Sequence, residues 1–294
     1  MRARHGDETS LLPRPDHTGG APAAVITGAG RGPGQAIARR LHRDGYQLVL
    51  GDIDGPRARA TADEPDTRHT AVEADITRRD AADEPAAVAT ERHGRPGVRG
   101  DNADVMPLGR FRHHSPDVLP YACEVNLGGI VRGSRAAIEH MRPRGGGRII
   151  EIAGITAVKP LAGFAVHGAT KAAVVSFSQS PRRELRHGSI HVTAVLPHMI
   201  TTPMAPGIEP RLLRPLGASH VADAVARAIT KRRATVHVPR TARFPARTAL
   251  LPQRVQDVTD DIPRMDDVAS AVGTPVRAPY DDELIAHAAR STTA

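Results

Sequence analysis

Apolar residues recur along most of the chain in short runs that alternate with longer stretches of helical spacing. The runs predict strands at 23–27, 47–51, 69–74, 148–153, 190–196 and 235–238, with a weaker candidate at 97–100. The stretches between them predict helices that include 34–44, 120–142, 166–187 and 219–232, the last with Ser219 as its N-cap. Strands that alternate with helices are typical of a parallel sheet covered on both faces. The pattern therefore predicts an α/β fold, a Rossmann-like doubly wound parallel sheet in three layers.

The two ends of the chain do not follow this alternation. Residues 1–20 are rich in charge, Pro and Gly, which predicts a disordered leader. Residues 21–240 hold the alternating elements and are predicted to form the Rossmann-like domain. After Arg240 the sequence turns rich in Arg, Pro and Asp, so 241–294 is predicted to be a C-terminal extension with one or two short helices and a loose end.

Composition restricts the compartment and the class of protein. The 294 residues suit one α/β domain with tails, and aromatic residues make up only 2%, so Ala, Val, Leu and Ile must form the core. The single cysteine, Cys123, excludes an internal disulfide and fits a reducing compartment. We see no secretory signal and no run of about 18 apolar residues that could span a membrane. These features predict a cytoplasmic protein, and the histidines lack the spacing of metal ligands.

The net charge of +8 raises the question of nucleic-acid binding. Lysine occurs only at 159, 171 and 231, and the remaining basic residues are arginines scattered through an Ala-, Pro- and Gly-rich background. Basic patches interleaved with aromatic residues, which bind single strands, are missing. Biased composition explains the charge, and no nucleic-acid partner is expected.

A glycine-rich loop lies between the first predicted strand and the first predicted helix. Residues 27–34 read Thr-Gly-Ala-Gly-Arg-Gly-Pro-Gly, and this arrangement lets backbone amides and a helix N-terminus approach a pyrophosphate. The second strand leads into Asp52, which follows Gly28 by 24 residues (52 minus 28), about where a carboxylate binds adenosine ribose hydroxyls. Asp52 would repel a 2′-phosphate, whereas Arg31 could pair with one. We therefore expect NAD as the cofactor, with NADP as the alternative.

Several motifs in order make residues 23–240 resemble the short-chain dehydrogenases/reductases. The chain matches the family pattern in the glycine loop, in Asp52, in the segments 74–77 and 125–127, and in 197–202, where His198 takes the family's glycine position. The family's Asn-Asn-Ala-Gly segment reads Asp-Asn-Ala-Asp here, at 101–104. The resemblance implies these cofactor-binding residues: Gly28, Arg31, Gly32, Gly34, Asp52, Asp75, Ile76, Asn102, Lys171, Pro197, Ile200 and Thr202. It also implies hydride transfer between nicotinamide and a small carbonyl or alcohol substrate, and a homo-oligomer built through helices four and five.

The family's catalytic groups are incomplete in this chain. A Tyr-x-x-x-Lys pair on one helix face does the family's proton chemistry, and here it reads His167 and Lys171. The family serine thirteen residues before that tyrosine is Gly154, and the asparagine of the family's proton relay is Asn126. The catalytic set implied by the resemblance is therefore Asn126, Gly154, His167 and Lys171.

These replacements predict weak or absent turnover. An imidazole can act as acid and base near neutral pH, but it is shorter than a phenol. A misplacement of about 1 Å can cost on the order of 10² in rate, and the charge of Lys171 disfavours a protonated His167. Thr156 could replace the missing serine only if its loop shifted. The alternatives are a non-catalytic protein that binds a dinucleotide, or a chain without a stable fold.

Other positions also depart from what the fold and the family favour. Arg99 would place an unpaired charge in the central sheet, which is expensive. Asp104 stands where the family has a glycine. Pro85, Pro120 and Pro181 fall in or near predicted helices, where an interior proline costs about 3 kcal/mol.

Overall fold

The computed structural model describes residues 22–64, 69–202, 204–205, 215–248, 251–261 and 275–292. The predicted leader at 1–20 lies outside the described residues. The strands are β1 (Ala23–Thr27), β2 (Gln47–Asp52), β3 (Thr70–Glu73), β4 (Pro96–Asp101), β5 (Gly147–Ile152), β6 (Ile190–Pro197) and β7 (Thr235–Val238). The helices are α1 (Gly32–Arg43), α2 (Gly55–Asp63), α3 (Glu84–His93), α4 (Val118–Cys123), α5 (Gly129–Met141), α6 (Ala165–Glu184), α7 (Ala218–Lys231), α8 (Arg243–Thr248), α9 (Gln253–Asp261) and α10 (Ala278–Thr292).

The strands form one parallel sheet in the order β3-β2-β1-β4-β5-β6-β7. This confirms the predicted Rossmann-like α/β fold, including the weak strand candidate at 97–100, which is the central strand β4. The strand order reverses between β1 and β4. In such sheets the crevice for a ligand opens at the carboxyl ends of the strands at this switch point.

The core on both faces of the sheet is aliphatic, as the scarcity of aromatic residues requires. On one face, Ile26 of β1 packs in a cluster with Ile37 of α1 and Val225 of α7. On the other face, Ile130 of α5 and Val174 of α6 pack with Leu196 of β6. The helices thus cover the sheet on both sides and complete the predicted three layers.

The prediction of an unpaired charge at Arg99 is wrong, because the same strand supplies its partner. Arg99 and Asp101 are two residues apart, so their side chains share one face of β4. Arg99 Nε lies 2.7 Å from Asp101 Oδ1, and both side chains are buried. Gly133 of α5 provides the space, since a Cβ there would collide with the Arg99 guanidinium.

The buried polar cluster continues onto β5. Glu151 lies directly beside Asp101 in the sheet and accepts hydrogen bonds from the hydroxyls of Ser134 and Ser178. Burial raises the pKa of Glu151 to about 7. Burial also raises the pKa of Asp101, in spite of the opposing charge of Arg99.

The three prolines destabilise their helices less than their positions in the sequence indicated. Pro85 and Pro120 lie in the first turns of α3 and α4, where a missing N–H breaks no helical hydrogen bond. Only Pro181 lies inside a helix, near the end of α6.

Two helix predictions need correction. The predicted helix 120–142 is divided, since a π-helical turn at Glu124–Gly128 separates α4 from α5. The N-cap of α7 is Gly217, so Ser219 does not cap that helix.

Part of the predicted extension packs against the domain. The described residues after 240 contain three helices, whereas one or two short ones were expected, and α10 is 15 residues long. Tyr280, Leu284 and Ala288 of α10 share a buried apolar cluster with Ile76 and with Tyr121 of α4. Residues 278–292 therefore help to build the surface beside the switch point.

Candidate active site

A pocket opens at the switch point and collects most of the sequence-predicted site residues. Those that line it are Gly28, Arg31, Gly32, Asp52, Asp75, Ile76, Asn102, Gly154, His167, Pro197, Ile200 and Thr202. The other three predicted residues, Gly34, Asn126 and Lys171, are not part of the lining. The pocket therefore joins the glycine loop at one end to the His167 region at the other.

The glycine loop needs its glycines for two different reasons. Gly28 has a φ of 62° and Gly32 a φ of 57°, a left-handed conformation that a side chain disfavours. Gly34 lies so close to the loop that a Cβ there would collide with the Gly28 carbonyl oxygen. The loop is thereby folded tightly against the start of α1, with its backbone facing the pocket.

The carboxyl ends of β1 and β4 are joined beside this loop by Asn102. Its side-chain amide donates to the carbonyl oxygens of Thr27 and Gly28, at 3.1 Å each. Its backbone N–H donates to the Thr27 hydroxyl at 3.0 Å. Asn102 thus fixes the floor of the pocket in addition to lining it.

The acidic residue after β2 is held by backbone N–H groups. Asp52 Oδ2 accepts from Gly30 N at 2.8 Å, and Asp52 Oδ1 accepts from Asp54 N at 3.0 Å. Asp75 is oriented in the same way by Thr77, whose backbone N–H lies 3.0 Å and whose hydroxyl lies 2.7 Å from its Oδ1. Both carboxylates are therefore fixed in the pocket wall as hydrogen-bond acceptors.

His167 and Lys171 lie one turn apart on α6 and share a partner that the sequence analysis did not assign. The Lys171 ammonium donates to the Ile152 carbonyl oxygen at 3.0 Å and lies 3.0 Å from Asp104 Oδ1. The second Asp104 oxygen lies 3.4 Å from His167 Nε2. Asp104 therefore stands between the lysine and the pocket, and its charge offsets that of Lys171 at the imidazole.

The surroundings of Asp104 favour its ionised form. Burial alone would raise its pKa, but the charges of Lys171 and His167 lower the pKa of Asp104 below its ordinary value. Asp104, which stands where the family has a glycine, therefore contacts both His167 and Lys171 of α6. The sequence marked Asp104 only as a departure from the family glycine, and its spacing from Lys171 gave no sign of this contact.

The Thr156 hydroxyl lies close to Gly154, the position of the family serine. A 3₁₀ turn at Ile155–Ala157 places the Thr156 hydroxyl 3.4 Å from His167 Nδ1, and both residues line the pocket. Whether Thr156 can replace the family serine toward a substrate stays a prediction, and its observed contact is with the imidazole. The turn brings this hydroxyl to the imidazole without any shift.

Asn126 holds a loop in addition to its place beside α6. Its side chain exchanges two hydrogen bonds of 2.8 Å with the backbone of Val105, and its amide donates to the Thr170 hydroxyl at 3.1 Å. These bonds fasten the segment after Asp104 against α6, so they help to keep Asp104 in place.

The remaining pocket wall is largely apolar and comes from loops and from α10. The apolar residues at the His167 end are Met106, Leu161, Phe164, Met199, Met204 and Ala205. Tyr280, Glu283, Leu284 and His287 of α10 form the outer wall. Sequence reasoning missed α10 because no motif marks it.

Metal binding and membrane spanning are two further properties that the described residues bear on. They contain no group of three or more His, Cys, Asp or Glu side chains placed to hold a metal ion. None of the helices within the described ranges is both long and apolar enough to cross a membrane.

Comparisons with known proteins agree with the fold. A family model described as short chain dehydrogenase matches residues 22–212. Oxidoreductase UcpA of Escherichia coli strain K12 is 36% identical over 216 residues, which cover 71% of this chain and 81% of that protein. An uncharacterized oxidoreductase of Staphylococcus epidermidis is 29% identical over 208 residues, covering 71% of this chain and 90% of that one. Among solved structures, a 3-ketoacyl-(acyl-carrier-protein) reductase from Brucella melitensis complexed with NADH aligns with a TM-score of 0.69 at 25% identity, covering 75% of this chain and 98% of that chain.

Proposed function

Because the chain belongs to the short-chain dehydrogenase family, we propose that it binds NAD in this pocket and passes hydride slowly between nicotinamide and a small carbonyl or alcohol. One observation carries the proposal: the glycine loop, Asp52 and His167 line a single pocket. Cofactor and reacting groups can therefore meet in one space.

The residues present fit a dinucleotide. The loop packs so closely that a Cβ at Gly34 would collide with Gly28, which leaves backbone rather than side chain at the N-terminus of α1. Asp52 is held by two backbone N–H groups and lines the pocket, so its carboxylate is available to accept hydrogen bonds from ribose hydroxyls. The apolar side chains at the far end suit an apolar part of a substrate, and Lys159 lines the pocket in the same region.

NAD supplies or accepts the hydride, and the chain's own residues must handle the proton. Reduction of a carbonyl adds hydride to carbon and a proton to oxygen, so a donor must lie beside that oxygen. We assign this role to His167, which contacts the Thr156 hydroxyl through one ring nitrogen and Asp104 through the other. One of these two contacts must give way when the imidazole donates its proton to the substrate oxygen. Asp104 contacts the imidazole directly, and Lys171 acts only through Asp104.

The reaction is expected to be slow because the family's tyrosine and serine hydroxyls are both replaced. A well-placed general acid is worth about 10²–10⁴ in rate. The contacts of His167 with Thr156 and Asp104 are both 3.4 Å, long for strong hydrogen bonds. An imidazole held this loosely should recover only part of that factor.

A second function, dinucleotide binding without turnover, is favoured by the pairing of Lys171. In the family this lysine holds the nicotinamide ribose, whereas here its ammonium is bonded to Ile152 and paired with Asp104. If no substrate is turned over, a role in cofactor sensing or association remains.

The test combines binding with a substrate screen of the full chain. NADH binding is followed by the fluorescence of the dinucleotide itself, and apolar ketones, aldehydes and alcohols are screened for turnover. His167→Ala should abolish the slow activity and leave NADH binding nearly unchanged. His220→Asn, an exposed histidine on α7, is the matched control.

A variant with the family's serine and tyrosine put back helps to distinguish slow turnover from dinucleotide binding without turnover. A Cβ at Gly154 meets its nearest atom, the Thr156 hydroxyl oxygen, at 3.6 Å, so Gly154→Ser fits without strain. Combined with His167→Tyr, it should raise turnover by orders of magnitude. NADH binding with no turnover by the unmodified chain would support the second function, and absence of NADH binding would refute both. The cytoplasmic location and the homo-oligomer stay predictions.

A further inference from the structure

The C-terminal helix is fastened across the pocket by a buried arginine. Arg277 is fully buried, and its guanidinium donates to the carbonyl oxygens of Met106 and Met204 at 2.6 Å each. Its Nε lies 3.0 Å from Asp281, one turn into α10. The Tyr280 hydroxyl accepts a further hydrogen bond from Met106 N at 2.8 Å. Both pocket loops and the first turn of α10 therefore have one fixed arrangement.

This anchoring places a carboxylate of α10 beside the glycine loop. Leu284 and Ala288 pack into the apolar cluster with Ile76, and the neighbouring residue Glu283 lines the pocket. Glu283 Oε2 lies 3.7 Å from the Arg31 guanidinium. The loop arginine is thus paired by a residue from the far end of the sequence.

The charges at this end of the pocket sum to a negative value. Arg31 pairs with Glu283, and Arg57 pairs with Asp54 at 3.0 Å. Asp52 is held by backbone N–H groups, so its charge is added to two neutral pairs. A ribose 2′-hydroxyl can donate to such a carboxylate, whereas a 2′-phosphate, with a charge of about −2, is repelled by it.

We propose that Glu283 of α10 sets the choice of cofactor, holding Arg31 away from a 2′-phosphate and so favouring NAD over NADP. The inference rests on the proposed function, since it concerns the dinucleotide bound in this pocket. Arg31 and Asp52 alone give opposing indications, and the ion pair to α10 decides between them. Cofactor preference is then determined by a helix residue that lies 252 positions after Arg31 (283 minus 31).

The test measures the dissociation constants of NADH and NADPH for the full chain and three variants. Glu283→Gln frees Arg31 and should tighten NADPH by about fivefold, the scale of one partly exposed ion pair, with NADH nearly unchanged. Adding Arg31→Ala to that variant should cancel the gain. Asp282→Asn removes an exposed neighbouring carboxylate and is the matched control for net charge.

The outcomes separate this inference from the proposed function. An unchanged ratio of the two constants in Glu283→Gln, or an equal shift in Asp282→Asn, would overturn the role of Glu283 while NADH binding stands. A gain that survives Arg31→Ala would overturn it as well. If the unmodified chain binds neither dinucleotide, the proposed function fails and the inference fails with it.

Discussion

Glu151 should make the stability of this fold fall as the pH rises. Burial raises its pKa from 4.5 to about 7, so the folded state favours the protonated form. Stability is then fully present below about pH 4.5 and is lost as the pH rises through 7. The whole shift corresponds to about 3 kcal/mol, of which about 2 kcal/mol falls between pH 5 and pH 8.

Glu151→Gln removes this dependence and keeps the local contacts. The amide oxygen can still accept a hydrogen bond from Ser134 or Ser178, and the side chain stays neutral at every pH. The variant should match the unmodified chain at pH 5 and exceed it by about 2 kcal/mol at pH 8. Asp101, whose pKa is also raised, leaves a residual slope in the same direction.

Urea unfolding followed by circular dichroism at pH 5 and pH 8 measures the difference. Glu139→Gln, at an exposed position on α5, is the control and should keep the slope of the unmodified chain. If the free energy of unfolding falls equally between pH 5 and pH 8 in Glu151→Gln and in the unmodified chain, the reasoning is refuted.

Three further predictions follow from buried contacts. Arg99→Leu should lower the free energy of unfolding by about 3–5 kcal/mol, and adding Asp101→Leu should recover most of it; urea unfolding of both variants checks this, and an additive double variant contradicts it. Gly34→Ala should cost about 1–3 kcal/mol, because its Cβ meets the Gly28 carbonyl; an unchanged melting temperature would speak against that contact. Arg277→Leu removes two charged donors and should cost about 2–4 kcal/mol, with faster proteolysis of α10; cleavage at the original rate would show that the helix is held by its apolar face alone.

The fold followed from the sequence where local patterns decide it. Alternating apolar runs and helical stretches predict the strands and a doubly wound parallel sheet without any tertiary information, whereas the strand order is known from the structure. Arg99 shows the limit of this reasoning. A charge in a central strand argues against that strand until the partner at Asp101 and the space left by Gly133 are known, and only the packed helix α5 reveals both.

The site was predictable where a motif fixes backbone geometry, as in the glycine loop and at Asp52. The roles of substituted positions were not, because they depend on distances between segments. Asp104 and Lys171 are 67 residues apart (171 minus 104), and nothing in their spacing shows that a carboxylate and an ammonium meet at 3.0 Å. The same holds for Thr156, whose hydroxyl reaches His167 through a single 3₁₀ turn.

The packing of α10 also has a consequence for the order in which the pocket forms. Helix α1 contacts β1 and β2 across a few tens of residues, whereas the pair between Arg31 and Glu283 closes a loop of 252 residues (283 minus 31). Contacts between residues this far apart form late in folding, because the entropy cost of closing the long loop must first be overcome. The glycine loop should therefore be complete while the outer wall is still open, and α10 should be among the first elements to open again in native-state hydrogen exchange. A ligand that contacts both would slow exchange in α10 far more than in the strands.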